Sequence, residues 1–191
     1  MMEEKYFEGK TFSKIDYTKN QLEKGEYEDC KFIDCDFSNS NFANIRFVDC
    51  RFQGCNLSMV NLNGTALREI SFVDCKMLGL RFENCNKFFL SVNFDHCMLN
   101  HSSFFQTKIK KTTFKNTQLH ETDFTEADLS DAVFENCDLA SATFDGTNVE
   151  NADFRSAYNY IINPENNRIK KAKFSSHGLV GLLLKYDIEI E

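Results

Sequence analysis

The chain of 191 residues has no Trp, one Pro and only eight Gly, and its 22 Lys and Arg are outnumbered by 29 Asp and Glu. These shortages exclude several functions. A net charge of −7 and a pI near 5.2 argue against direct nucleic-acid binding, which draws on clustered Lys and Arg. They fit a basic partner, or solubility alone. No apolar run approaches the ~20 residues of a membrane span, so no membrane role is expected. Met1-Met-Glu-Glu-Lys5 has neither the charged start nor the apolar stretch of a secretory signal, and a cytoplasmic location is the expectation. Catalytic signatures are missing too: no P-loop, no G-x-G-x-x-G, no G-x-S-x-G, no H-E-x-x-H. No enzyme and no cofactor are expected.

The sequence has Phe in abundance, twenty of them, and they are periodic. Phe124, Leu129, Phe134, Leu139, Phe144, Val149 and Phe154 fall five residues apart. Two residues before each stands a small one: Thr122, Ala127, Ala132, Cys137, Ala142, Thr147 and Ala152. A period of five is neither the 3.6 of a helix nor the 2.0 of a strand, so each unit is one side of a repeating coil. Phe94, Phe114, Phe134, Phe154 and Phe174 repeat at twenty, as do Leu99, Leu119 and Leu139. Four units per turn give a square cross-section, with large side chains stacking along the axis. The period predicts seven or eight coils, a rod on the order of 35–40 Å at ~4.8 Å per coil.

The eight cysteines would ordinarily raise disulfides or zinc. Cys30, Cys35, Cys50, Cys55, Cys75, Cys85, Cys97 and Cys137 all occupy the small inner site, where Cys is a compact apolar filler. Stacking at ~4.8 Å exceeds the ~3.8 Å Cβ separation of a disulfide. His96, Cys97 and His101 resemble metal-ligand spacing, but the period turns Cys97 inward and both His outward.

Residues 1–29 keep the period at Phe7, Phe12, Tyr17, Leu22 and Tyr27 but lack small partners, as expected of an N-terminal cap. From Phe32 to Phe82 the units are clear, with large inner residues at Ile45, Val60, Ile70 and Leu80 that predict a locally wider core. Phe82 to Phe94 spans twelve residues instead of ten, a register shift over 84–90. It is read as a bulge absorbed in one turn, the alternative being a protrusion that carries an exposed Phe88. Residues 158–173, with Pro164, read as one irregular coil. Beyond them, 175–191 read as a cap: a short helix from Leu179 to Tyr186, then a strand at Ile188 and Ile190. That helix, through Leu179, Leu182, Leu183 and Tyr186, is the expected homodimer interface.

Charge is segregated along the chain. Between 121 and 153 lie ten acids and no Lys or Arg: Glu121, Asp123, Glu126, Asp128, Asp131, Glu135, Asp138, Asp145, Glu150 and Asp153. The period places all ten outward, and they are read as an unbroken anionic face, the candidate partner-binding surface. Lys108, Lys110, Lys111 and Lys115 precede it, and Arg168, Lys170, Lys171 and Lys173 follow.

Units such as Ala127-Asp-Leu-Ser-Asp131, Ala152-Asp-Phe-Arg-Ser156 and Cys35-Asp-Phe-Ser-Asn39 resemble the pentapeptide repeat family over nearly the whole chain. The resemblance implies an all-β fold, a right-handed quadrilateral β-helix, often dimerised through a C-terminal helix. Within the family the chain looks most like the quinolone-resistance members, the Qnr proteins and the mycobacterial DNA mimic. That implies a non-enzymatic protein whose acidic rod imitates DNA and binds a type II topoisomerase, DNA gyrase or topoisomerase IV. The alternative is a scaffold for another protein partner. The two projecting loops of Qnr proteins have no counterpart here beyond the two extra residues near Asn86.

Overall fold

The fold is a right-handed quadrilateral β-helix closed by a short C-terminal helix, seen in a computed structural model that describes residues 5–88 and 90–189. Its strands are β1 (Lys5–Glu8), β2 (Thr11–Ser13), β3 (Gly25–Glu28), β4 (Lys31–Ile33), β5 (Arg46–Val48), β6 (Arg51–Gln53), β7 (Ala66–Arg68), β8 (Ile70–Val73), β9 (Val92–Asp95), β10 (Thr113–Lys115) and β11 (Val133–Glu135). Strands this short follow from the period: after three or four residues the chain must turn a corner.

Seven of the strands stack as one parallel sheet, β2-β4-β6-β8-β9-β10-β11, on what we call face one. Its register pairs Phe12 with Phe32, Phe32 with Phe52, and Phe114 with Phe134. Six turns of the coil separate these seven strands, and single bridges at Asp153 and Lys173 carry the face further. Face two is a ladder of single bridges from Asp16 through Asp36 and Gln118 to Tyr158; face three runs from Asn41 through Ser103 and Asp123 to Thr143. Face four is the sheet β1-β3-β5-β7, continued by bridges from Lys108 through Asp128 and Asn148 to Arg168.

The backbone polar groups are satisfied between coils. Asp123 N–H donates to Ser102 C=O at 3.0 Å one coil before, and Phe124 N–H to Thr143 C=O at 2.9 Å one coil on. The residue two after most central ones takes a positive φ, for example Glu126 at 56° and Asn151 at 60°. Asn, Asp and Gly tolerate this conformation best, and they fill many of these corners.

The core is a set of ring columns. Phe94, Phe114, Phe134 and Phe154 stack at centroid distances of 5.1, 4.9 and 4.5 Å with near-parallel planes. Rings of neighbouring columns meet edge to face, as Phe104 does Phe114 at 5.9 Å and 88°. Each buried ring contributes about 2 kcal/mol by burial, and each pair about 1 kcal/mol more. At the inner site all eight cysteines are buried as free thiols. Most of them donate to a central residue's carbonyl one coil back: Cys50 to Tyr27 at 3.2 Å, Cys137 to Phe114 at 3.3 Å. Thr65 and Thr147 do the same through hydroxyls, at 2.9 and 2.8 Å. The expected widening around Val60 and Leu80 amounts to a void of about 10 Å³, at the lower limit for one water and lined only by apolar side chains, which offer it no partner. Leu57, Leu62 and Leu67 replace Phe at the centre there, so the volume added at the inner site is removed from the middle.

The register shift is confined to one coil. Phe72 pairs with Phe94, twenty-two residues on, and from Phe94 the spacing returns to twenty. A 3₁₀ turn lies at Phe82–Asn84, but Asn86 N–H still bonds Thr65 C=O in the ordinary register, so the loop that follows on face four takes up the excess. In the irregular coil Tyr158, Arg168 and Lys173 keep their bridges. Pro164, lacking an N–H, falls where face three would continue.

At the C-terminal end the chain forms a 3₁₀ turn (His177–Leu179), the single-turn helix α1 (Val180–Leu183) and a second 3₁₀ turn (Leu184–Tyr186). This is less helix than the apolar run predicts. Gly181 lies so close to the last coil that a Cβ there would stand 2.1 Å from the Tyr160 carbonyl oxygen, and its own carbonyl accepts from Ile162 N–H at 3.0 Å. Docking of the backbone, not helix propensity, sets the geometry. The expected strand does not form at 187–189: Asp187, at φ 50°, turns the chain after Tyr186. Ile190 lies outside the described residues.

Candidate functional site

The ten acids reach the surface from three kinds of position on the coil. Asp123, Asp128, Asp138 and Asp153 each precede a central residue, and Oδ1 accepts the N–H two residues on. The donors are Thr125 at 2.9 Å, Ser130 at 3.2 Å, Ala140 at 3.2 Å and Arg155 at 3.1 Å. These Asx turns close the corner. Asn41, Asn61 and Asn148 make the same bond through an amide oxygen, at 3.0 to 3.1 Å. The corner therefore needs an oxygen and not a charge. Glu121, Glu126 and Asp131 occupy positive-φ corners. Glu135, Asp145 and Glu150 follow central residues. None of the ten is buried.

The acids do not form an unbroken face. Asp123 lies on face three, Asp128 on face four, Asp153 on face one and Asp138 on face two, so they make a collar around the rod. About thirty residues occupy little more than one and a half coils, a height near 8 Å at the strand spacing. Neighbouring coils also supply cations. Lys110 reaches Asp128 at 3.1 Å, Lys115 reaches Glu135 at 3.6 Å and Arg168 reaches Glu150 at 3.1 Å, while Arg155, only two residues on in the same coil, chelates Asp153, its shortest contact 2.6 Å. His101 lies 3.2 Å from Glu121 and His120 2.8 Å from Asp138. The cause is the register: residues about twenty apart are neighbours, so a stretch free of Lys and Arg in sequence is not free of them in space. Exposed pairs of this kind contribute roughly 0–1 kcal/mol.

Three carboxyls sit below the usual range. At Asp153 the main cause is the Arg155 guanidinium. At Asp128 partial burial opposes the charge, and the Ser130 hydroxyl and Lys110 outweigh it. At Asp138 burial is again outweighed, by the Asn159 amide at 2.8 Å and by His120. All three stay charged at neutral pH.

Of the four residues expected to form a dimer interface, Leu182 packs against the chain's own core and Leu183 is partly covered, while Leu179 and Tyr186 are exposed. Tyr186 donates to Glu165 at 3.0 Å. The exposed apolar surface instead joins Leu179, Val180 and Leu184 to Tyr158 and Ile161 of the last coil. A groove of about 510 Å³ runs between them. Tyr158 and Ile161 were missed from sequence; they stand at outward positions where polar residues are the rule, which is the signal that marks them. Phe88 is 88% exposed. His96 pairs with Asp95 at 2.8 Å while Cys97 is buried. Among the described residues no cluster of His, Cys, Asp or Glu is arranged to hold a metal, and no helix is long and apolar enough to cross a membrane.

The description "pentapeptide repeat region" belongs to the family profile that matches residues 25–87 and 80–154, most of the length of the coil. The chain belongs to the pentapeptide repeat family. Other pentapeptide repeat coils have the same path. A trypsin-treated form of QnrB1, a plasmid-mediated fluoroquinolone resistance protein, superposes with a TM-score of 0.77 at 16% identity, over 98% of this chain and 92% of that one. A second trypsin-treated form gives 0.62 at 14% identity, over 98% of both. Likeness at such identities is one of fold. Among curated proteins no match is found.

Proposed function

We propose that this pentapeptide repeat protein is a non-enzymatic interaction protein whose acidic collar enters a DNA-binding groove of a type II topoisomerase, DNA gyrase or topoisomerase IV. The observation that carries the reading is the interchange of Asn and Asp at the corner oxygen: the fold accepts either, yet residues 123, 128, 138 and 153 all carry charge. DNA presents one charge per ~1.7 Å of axis and on all sides, and a collar of acids on four faces offers a comparable density. The fold shared with a fluoroquinolone resistance protein makes these enzymes the first partners to test.

The test is a supercoiling assay with titrated protein, with and without a fluoroquinolone. Inhibition that fades with salt is expected. The fourfold variant Asp123→Asn, Asp128→Asn, Asp138→Asn and Asp153→Asn should fold normally and inhibit at least tenfold more weakly. Equal potency of the variant, or no inhibition by the parent, removes the reading.

A second reading, a scaffold assembled as a cytoplasmic homodimer, draws on the exposed Leu179, Val180, Leu184, Tyr158 and Ile161. A cap that shields its own coil yet leaves these outside fits a two-fold contact. Sedimentation should find a dimer in the parent and a monomer in Leu184→Glu; a parent that is monomeric at all concentrations overturns it.

A further inference from the structure

The two-residue insertion on face four builds a surface that neither reading uses. Asn86 N–H still bonds Thr65 C=O and Ser91 N–H bonds Leu67 C=O, each at 2.8 Å. Between them the chain leaves the coil. Asn86 Oδ1 accepts Phe88 N–H at 3.1 Å, so an Asx turn, the same device that closes the coil's corners, holds the aromatic outward. Most Phe rings of this chain are buried among other rings; Phe88 stands in solvent.

Around it the surface is basic. Lys87 precedes the ring, and Lys108, Lys110 and Arg68 line the same clefts. Among the described residues Lys87 and Lys108 form no ion pair, although Lys110 is engaged by Asp128. The loop divides two hollows. One of about 300 Å³ is lined by Phe82, Phe88, Leu90 and Thr107 together with Lys87, Gln106 and Lys108; the other, of about 420 Å³, shares Lys87, Phe88, Leu90 and Lys108 and adds Arg68, Glu69, Ser91 and Lys110. Phe88 and Leu90 thus give both hollows an apolar wall, with Lys87 and Lys108 beside it.

We propose that this loop binds a short acidic peptide segment of a protein partner: carboxylates on Lys87 and Lys108, and one large apolar side chain in a hollow against Phe88 and Leu90. Charge and size favour a peptide over a nucleic acid. Glu69 borders one side of the patch, and Asp128 bridges directly to Lys108 one coil on, ~4.8 Å away. A phosphate backbone running along the face would meet those acids; a segment spanning two or three residues of charge would not. The site meets the collar only at Asp128 and does not depend on a topoisomerase partner.

Random dodecapeptides displayed on phage, selected on the whole protein, provide the test. Enriched peptides should combine three or more Asp or Glu with a large apolar residue. As synthetic fluorescent peptides they should bind about tenfold more weakly to Lys87→Ser/Lys108→Ser and to Phe88→Ser, and weaken with salt. All three positions are exposed, and unchanged thermal midpoints will verify the variants' folds. The triple variant Asp123→Asn, Asp138→Asn and Asp153→Asn, which leaves Asp128 beside Lys108 in place, should bind them as well as the parent. Selection without acidic enrichment, equal binding to the loop variants, or tighter binding of a twelve-nucleotide oligo-dT through the same residues overturns the proposal.

Discussion

The coils before the insertion and those after it solve one packing problem with different residues. Before it, the inner site is held mostly by Cys or by Ile45, Val60, Ile70 and Leu80, with Ser40 and Thr65 the hydroxyl exceptions, and the corner oxygen often comes from Asn, at 41, 56 and 61. After it, the inner site is mostly Thr or Ala, and the corner oxygen comes mainly from Asp. Both halves keep the twenty-residue register and the ring columns. The fold therefore demands two things of a unit, a volume inside and an oxygen at the corner. Charge and thiol chemistry are left free, and it is in these free choices that the halves differ.

The ring columns are where the comparison should break hardest. Phe52→Ala in the first half and Phe134→Ala in the second are each expected to lose about 3–5 kcal/mol, read from urea unfolding. A loss confined to one half would mean that the halves do not share one core. Gly181→Ala should act next. The added methyl meets the Tyr160 carbonyl, so the cap must shift, and a loss of about 1–3 kcal/mol is expected, with faster proteolysis after Lys173. At the corner, Asp128→Ala should lose about 1 kcal/mol, whereas Asp128→Asn should stay within about 0.5 kcal/mol. Equal losses would show that charge, and not the Asx bond, holds the turn.

The smallest expected effect is one of pH. Burial raises the thiols of Cys50, Cys85 and Cys137 from 9.0 to about 12. A folded-state value above the unfolded one means that the folded chain binds more protons between those limits. Stability is thus full below about pH 9 and declines as the pH rises toward 12. The urea midpoint should fall over that window, and less steeply in Cys50→Ala. Since the first half holds most of the cysteines, it should loosen first, as hydrogen exchange would report.

Most of the fold is legible in the sequence because the period reports side-chain size, and size is what a coil interior selects. The inner cysteines, the shift near Asn86 and the columns at twenty all follow from it. The collar was legible only in part. Its ten residues can be counted, but Lys110 beside Asp128 and Arg168 beside Glu150 are contacts between coils, and linear charge runs do not reveal them. The cap was the least legible, since backbone approach at Gly181 overrode the helical pattern of Leu179 to Tyr186.

The resumption of register after the insertion also bears on how the chain folds. Each new coil closes a loop of about twenty residues onto the coil before it, so the entropy of every step is nearly the same and the rod can grow by zippering. Lengthening one closure from twenty to twenty-two residues adds under about 0.1 kcal/mol by the logarithmic law of loop closure. Phe88 and Lys87 thus ride on a segment that the folding of the rod scarcely notices, and that segment is free to vary in length and sequence while the coils on either side, Lys108 included, stay fixed.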